Sequence, residues 1–148
     1  MRGIHSAFYR LQIAEGFLKE ARQDLGLNRW RSVMDNAQLA VENAAKAVLA
    51  LIGPVGRTHN PAPLLRQALQ DDRLAAAAPE KVHRLAELAE SLGFDIHMQT
   101  DYGDETAGLT PWELFDEEDA REAFAMAEEA VELARAIIGE LHPPGTNI

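Results

Sequence analysis

Three long segments of this chain space their apolar residues alternately three and four positions apart. The first runs through Ile4, Ala7, Leu11, Ala14, Leu18, Ala21 and Leu25. The second runs through Trp30, Met34, Ala37, Val41, Ala44, Val48 and Leu51, and the third through Ala120, Phe124, Ala127, Val131, Ala134, Ile138 and Leu141. A helix brings positions with that spacing onto one face, and a face so apolar must be covered. The pattern therefore demands helices that pack on one another. A coiled coil would satisfy one stripe, but Gly26 and Gly53-Pro54 stop the first two segments, which favours a compact bundle. The second segment carries another stripe, Val33, Ala40 and Ala47, so it is expected to be buried on more than one side and to lie at the centre.

The stretches between these segments supply two shorter helices. Asn60 reads as an N-cap with Pro61 at the first helical position, and Leu64, Leu65, Ala68 and Leu69 face inward. Pro79-Glu80 opens another helix with Val82, Leu85, Ala89 and Leu92 on its apolar face, ended by Gly93. Asn28 is the expected N-cap of the second long helix. Thr110-Pro111-Trp112-Glu113 has the form of a capping box for the last helix, and Asp116 through Asp119 place carboxylates at its positive end. Residues 94–109 show no period and are expected to form a long loop before that helix, while residues 142–148 form a Pro- and Gly-containing tail. No segment alternates every second residue, so no sheet is expected. The fold class is all-α: one domain over residues 1–148, an antiparallel up-and-down bundle of about five helices. Trp30, Trp112 and the phenylalanines read as core or interface.

The chain has no cysteine, which excludes disulfides, thiolate metal sites and a cysteine nucleophile. No apolar run is long enough to cross a bilayer and the N-terminus lacks a secretion signal, so a cytoplasmic protein without membrane contact is expected. The net charge of −10 is uneven: residues 1–73 hold ten Lys/Arg against seven Asp/Glu, and residues 74–148 hold four against seventeen. An acidic surface repels phosphates, so nucleic acid is not an expected partner. Arg22, Arg29, Arg31, Arg57 and Arg66 are instead expected to pair with the acidic half, the alternative being a basic face on the first half.

One segment is more specific. In residues 29–65, RWRSVMDNAQLAVENAAKAVLALIGPVGRTHNPAPLL, Gln38, Glu42 and Lys46 recur every fourth residue on the central helix, and His59 follows in the loop before Leu64-Leu65. This order resembles the second and third helices of HEPN domains. The length, the helix order and the alanine-rich final helix are similar as well. Asp101-Tyr102-Gly103-Asp104 stands where many members have an "R-Y-x-D" segment. The resemblance implies a helical bundle that commonly homodimerises and often occurs beside a minimal nucleotidyltransferase in two-gene systems, some of them toxin–antitoxin pairs.

HEPN ribonucleases place an Arg four to six residues before a His, ahead of the last helix. There the cation can stabilise phosphate charge and the imidazole can move a proton at the ribose hydroxyl. Here His97 has no such Arg, and Asp101 stands where the Arg is often found. Arg135 and His142 match the spacing formally, but they lie at the end of the last helix, and a match of this kind arises by chance. The resemblance without its motif thus implies a non-catalytic or degenerate member, dimeric, binding a partner such as a nucleotidyltransferase, or a nucleotide, and needing no cofactor. The alternatives are a ribonuclease toxin whose site His97 rebuilds with an arginine from the basic half, and an orphan structural bundle.

Read without the family, Glu42 and Lys46 form a helix-surface ion pair worth a few tenths of a kcal/mol. His59 is expected to anchor its loop by hydrogen-bonding backbone carbonyls. His97, Asp101 and Asp104 facing a cation is a lesser alternative to no metal at all. The sequence contains no Gly-rich phosphate loop and no His-Glu-x-x-His.

Overall fold

The structure is a computed structural model that describes residues 2–74 and 77–141. Seven helices follow one another: α1 (Arg2–Gly26), α2 (Trp30–Ala50), α3 (Ala62–Gln70), α4 (Pro79–Ser91), α5 (Phe94–Tyr102), α6 (Pro111–Leu114) and α7 (Glu117–Leu141). No strand occurs among the described residues; a single antiparallel bridge joins Asp104 to Leu109. The chain is an all-α bundle, as its periodicity requires.

The three striped segments become the long helices α1, α2 and α7, and α2 is the axis on which the others pack. Fourteen of its 21 residues are buried, including both stripes apart from the end residues Trp30 and Leu51, and it touches every other helix. Alanines at 37, 40, 44, 45 and 47 are fully buried and let α1 and α7 approach closely. The three-residue link from α1 to α2 makes them antiparallel neighbours. Helices α3 and α4 pair on the far side, and Leu65, Leu85 and Leu88 fill the space between them and the long helices together with Ile137 and Ile138.

Four local expectations need correction. The segment 94–109 is not a long loop: its first nine residues form α5, and a tight bridged turn follows. Helix α5 escapes periodicity because Thr100 is its one fully buried residue, while Phe94, Met98 and Tyr102 point outward. Gly103 closes this helix at φ 70, and a Cβ there would lie 2.2 Å from the Leu109 carbonyl oxygen, so only glycine fits. The Thr110 capping box is real but starts the one-turn α6. Helix α7 begins afresh, where Asp116 accepts from the Asp119 N–H (2.9 Å) and Asp119 accepts from the Asp116 N–H (3.1 Å). Finally, Arg29 rather than Asn28 is the N-cap of α2, Asn28 taking the left-handed conformation (φ 58) that turns the chain out of α1, and Pro61 rather than Asn60 is the N-cap of α3, which starts at Ala62. The tail 142–148 lies outside the described residues.

Three of the five arginines singled out in the basic half pair with the acidic half within the chain. Arg22 pairs with Glu128 (3.4 Å), Arg31 with Asp101 (3.4 Å) and Arg66 with Glu90 (2.6 Å), each joining the basic half to the acidic one. Arg29 reaches Asp24 at 4.0 Å. Most of these pairs are exposed and individually add little stability. The Arg66 hydrogen bond still holds the Glu90 carboxyl below the usual carboxylate range, and Arg84 does the same for Glu129. Lys81 and the Ala78 N–H act alike on Glu140, tying the start of α4 to the end of α7.

Candidate functional site

Residues 38, 42 and 46 lie one above another on α2, because four residues make slightly more than one turn. Gln38, Glu42 and Lys46 are all buried, at 0%, 5% and 7% exposure. Charged side chains are seldom this buried without partners, and Glu42 has three. Its Oε1 accepts from the Gln38 amide (3.2 Å) and from His59 Nδ1 (3.1 Å), and its Oε2 accepts from Lys46 Nζ (3.1 Å). The Glu42–Lys46 pair is therefore not a surface pair. The loop after α2 lies against it through His59. In this low-dielectric setting removing one partner costs far more than at a surface.

His59 is anchored, but by the Glu42 carboxylate and not by backbone carbonyls. A carboxylate can only accept, so Nδ1 is the donor in this contact, and the ring is half exposed. The His97 ring lies flat on it, with centroids 4.6 Å apart and planes 15° from parallel. Two buried polar atoms at this stack, Gln38 Oε1 and His97 Nδ1, have no partner among the described residues. Such atoms normally meet a water or a ligand group. The arrangement can orient an imidazole and present it at the surface, the first requirement of acid–base chemistry.

The remaining sequence candidates do not join this cluster. Asp101 sits one turn beyond His97 on α5 and pairs with Arg31 (3.4 Å). Arg31 also donates from Nε to the Thr100 carbonyl (2.6 Å), so it fastens the start of α2 to the end of α5. Asp104 caps the bridged turn by accepting from the Ala107 N–H (3.1 Å), and Tyr102 is exposed. Arg135 pairs with Glu15 (3.3 Å) and Glu132 (3.4 Å), and His142 lies outside the described residues. No group of three His, Asp or Glu side chains among the described residues is placed to hold a metal.

Two contacts were invisible in the sequence. The His59–His97 stack joins residues of separate elements with no shared periodicity. The placement of Arg31 over the Trp112 ring, 5.7 Å from its centroid, leaves that indole 72% exposed, so Trp112 is not part of the core. Its position inside a capping box, a helix start at the surface, is the one signal that pointed there.

Residues 7–137 match the family model of the HEPN domain, nearly the full length of the chain. The chain belongs to the HEPN domain family. It is similar to the protein named "Putative toxin MJ1304" of Methanocaldococcus jannaschii, with 27% identity over 141 residues that cover 89% of this chain and 92% of that protein. No solved structure matches it. No described helix is long and apolar enough to cross a membrane.

Proposed function

We propose that this HEPN protein is a binding module and not a nuclease: a homodimer that holds a partner, either a nucleotidyltransferase-type protein or a nucleotide. The observation that carries this reading is Asp101. It stands ahead of the last helix at the place of the arginine in the "R-Y-x-D" segment of many members, no arginine precedes His97 at the ribonuclease spacing, and the Asp101 carboxylate is fixed on Arg31. A negative group there repels a scissile phosphate instead of stabilising its charge. The Glu42 carboxylate, Lys46 and the Gln38 amide are likewise engaged with one another, which makes them framework. The toxin name of the archaeal relative supports a two-gene setting. The test is coexpression with the product of the neighbouring gene, followed by size measurement of the purified material. Copurification and a mass of at least twice the 16.3 kDa chain are expected; a lone monomer that captures nothing contradicts the reading.

One observation favours a second reading, a ribonuclease toxin. Arg31, from the basic half, lies against α5 at Thr100 and Asp101, one turn from His97. An Arg and a His are thus neighbours in space without the family's spacing in sequence. RNA cleavage lost together in Arg31→Ala and His97→Ala would establish this alternative.

A further inference from the structure

Helix α5 carries its apolar stripe on the outside. An amphipathic helix normally turns its apolar side chains to the core. Here Thr100 is the fully buried residue, whereas Phe94, Met98 and Tyr102 are 48%, 39% and 63% exposed. These three recur every fourth residue and so form one outward stripe. Asp95 and Asp101 stand three residues before and after Met98, about 60° to either side of it around the helix axis. Both are exposed, so a carboxylate edges the stripe on each flank. Asp101 pairs with Arg31 yet keeps 47% of its side chain in water. The chain around this face is uniformly acidic: residues 94–119 hold nine Asp/Glu and no Lys or Arg. The face is also firmly mounted. Arg31 donates to the Thr100 carbonyl (2.6 Å), the Thr100 hydroxyl donates to the His97 carbonyl (2.8 Å), and Gly103 ends the helix. Covering it therefore needs little further ordering of this chain.

Burying three neighbouring apolar side chains is favourable, and the charges around them decide what can do it. A second copy of this face would bring Asp95 and Asp101 against the same carboxylates, because a two-fold interface repeats one patch on both sides. An anionic lipid surface or an RNA meets the same repulsion. A helix with one apolar face and Lys or Arg along its margins matches both features, apolar on apolar and cation on carboxylate. We propose that the outward face of α5 is the docking surface for a basic amphipathic helix of a partner protein. Phe94, Met98 and Tyr102 make the apolar contact, and Asp95 and Asp101 receive the cations. The inference rests on the partner-protein form of the binding reading above and names the surface and the chemistry of that partner. It leaves the homodimer contact to another face.

Titration of the full chain with two labelled helical peptides tests it. One has leucine on one face and lysine on the other; its counterpart has glutamate in place of lysine. The lysine peptide is expected to bind and the glutamate peptide to stay free. The double variant Phe94→Ala, Met98→Ala is expected to weaken the lysine peptide at least about tenfold. Asp95→Lys is expected to weaken it as well and to let the glutamate peptide bind. These side chains are exposed, so a melting temperature within about 5 °C of wild type is expected for Asp95→Lys, which separates lost docking from lost folding. Equal binding of the lysine peptide to wild type and the double variant overturns the site. Equal binding of both peptides to wild type overturns the charge assignment. A wild-type dimer that becomes a monomer in the double variant gives the face to a second copy and overturns the proposal. The product of the neighbouring gene separates this inference from the reading beneath it. If wild type and both variants capture it alike, the binding reading stands and this face is lost. If nothing is captured while the lysine peptide binds at α5, the reading fails and the docking surface stands.

Discussion

Helix α2 carries two polar clusters that are opposites in every physical respect. In its middle, Gln38, Glu42 and Lys46 are buried and mutually hydrogen-bonded, and Glu42 also holds His59. At its start, Arg29 and Arg31 border an open cavity beside the most exposed tryptophan of the chain. The residues which best mark the family, Gln38, Glu42 and Lys46, are buried, while Trp112 at the other end of the contrast lies in water. A buried carboxylate with three donors is a framework element, which fixes where the loop after α2 and its histidine sit. The Trp112 indole, in contrast, is left in water, yet it is mounted by the buried Pro111 and the Thr110–Glu113 capping box.

The contrast breaks first at Glu42. Glu42→Ala leaves the Lys46 ammonium buried without its partner, and a loss of about 3–5 kcal/mol in urea unfolding is expected. The double variant Glu42→Leu, Lys46→Met removes both charges and should recover much of that loss. A cost below about 1 kcal/mol for Glu42→Ala would mean that the pair behaves as if in water, and the two clusters would no longer differ. His59→Ala comes next. It removes one charge-assisted hydrogen bond and the stack on His97 but leaves Lys46 paired, so about 1–2 kcal/mol is expected in the same measurement.

How much of this was legible in the sequence follows from the same physics. The stripes through Ile4–Leu25, Trp30–Leu51 and Ala120–Leu141 announced α1, α2 and α7, because long amphipathic helices repeat their signal many times. Helix α5 repeats it hardly at all: Thr100 faces the core and Phe94, Met98 and Tyr102 face water, which reads as a loop. The spacing of Gln38, Glu42 and Lys46 was legible, but their burial was not, since charged residues default to the surface. The extra stripe at Val33, Ala40 and Ala47 already implied that α2 had little exposed surface to offer them. Nothing in the sequence brought His97 onto His59, because that contact is made by tertiary packing alone.

Acidification sharpens the comparison more gently. The carboxyls of Glu90, Glu129 and Glu140 lie below the usual carboxylate range because Arg66, Arg84 and Lys81 respectively donate to them. Glu113 is lowered by the Thr110 N–H and hydroxyl. A lowered carboxyl stabilises the fold fully above its unfolded value and loses that effect as pH falls through its folded value. Melting temperature should therefore hold steady near neutrality and decline as pH drops through the carboxylate range, with a smaller decline in high salt, because these pairs are exposed and screened. A melting temperature that rises on acidification would contradict the pairing. The smallest effect is expected at Trp112: Trp112→Ala should change stability by no more than about 0.5 kcal/mol, since so little of the ring is buried. A larger loss in the unfolding curve would make Trp112 a structural residue and remove the contrast from its open end.

On the reading proposed above, this HEPN framework binds and does not cut. Incubation of the purified protein with end-labelled single-stranded RNA, beside a His97→Ala variant and a no-protein control, tests it most directly. Intact RNA is expected in all three lanes. Fragments that accumulate with the wild-type protein and disappear with His97→Ala would contradict it.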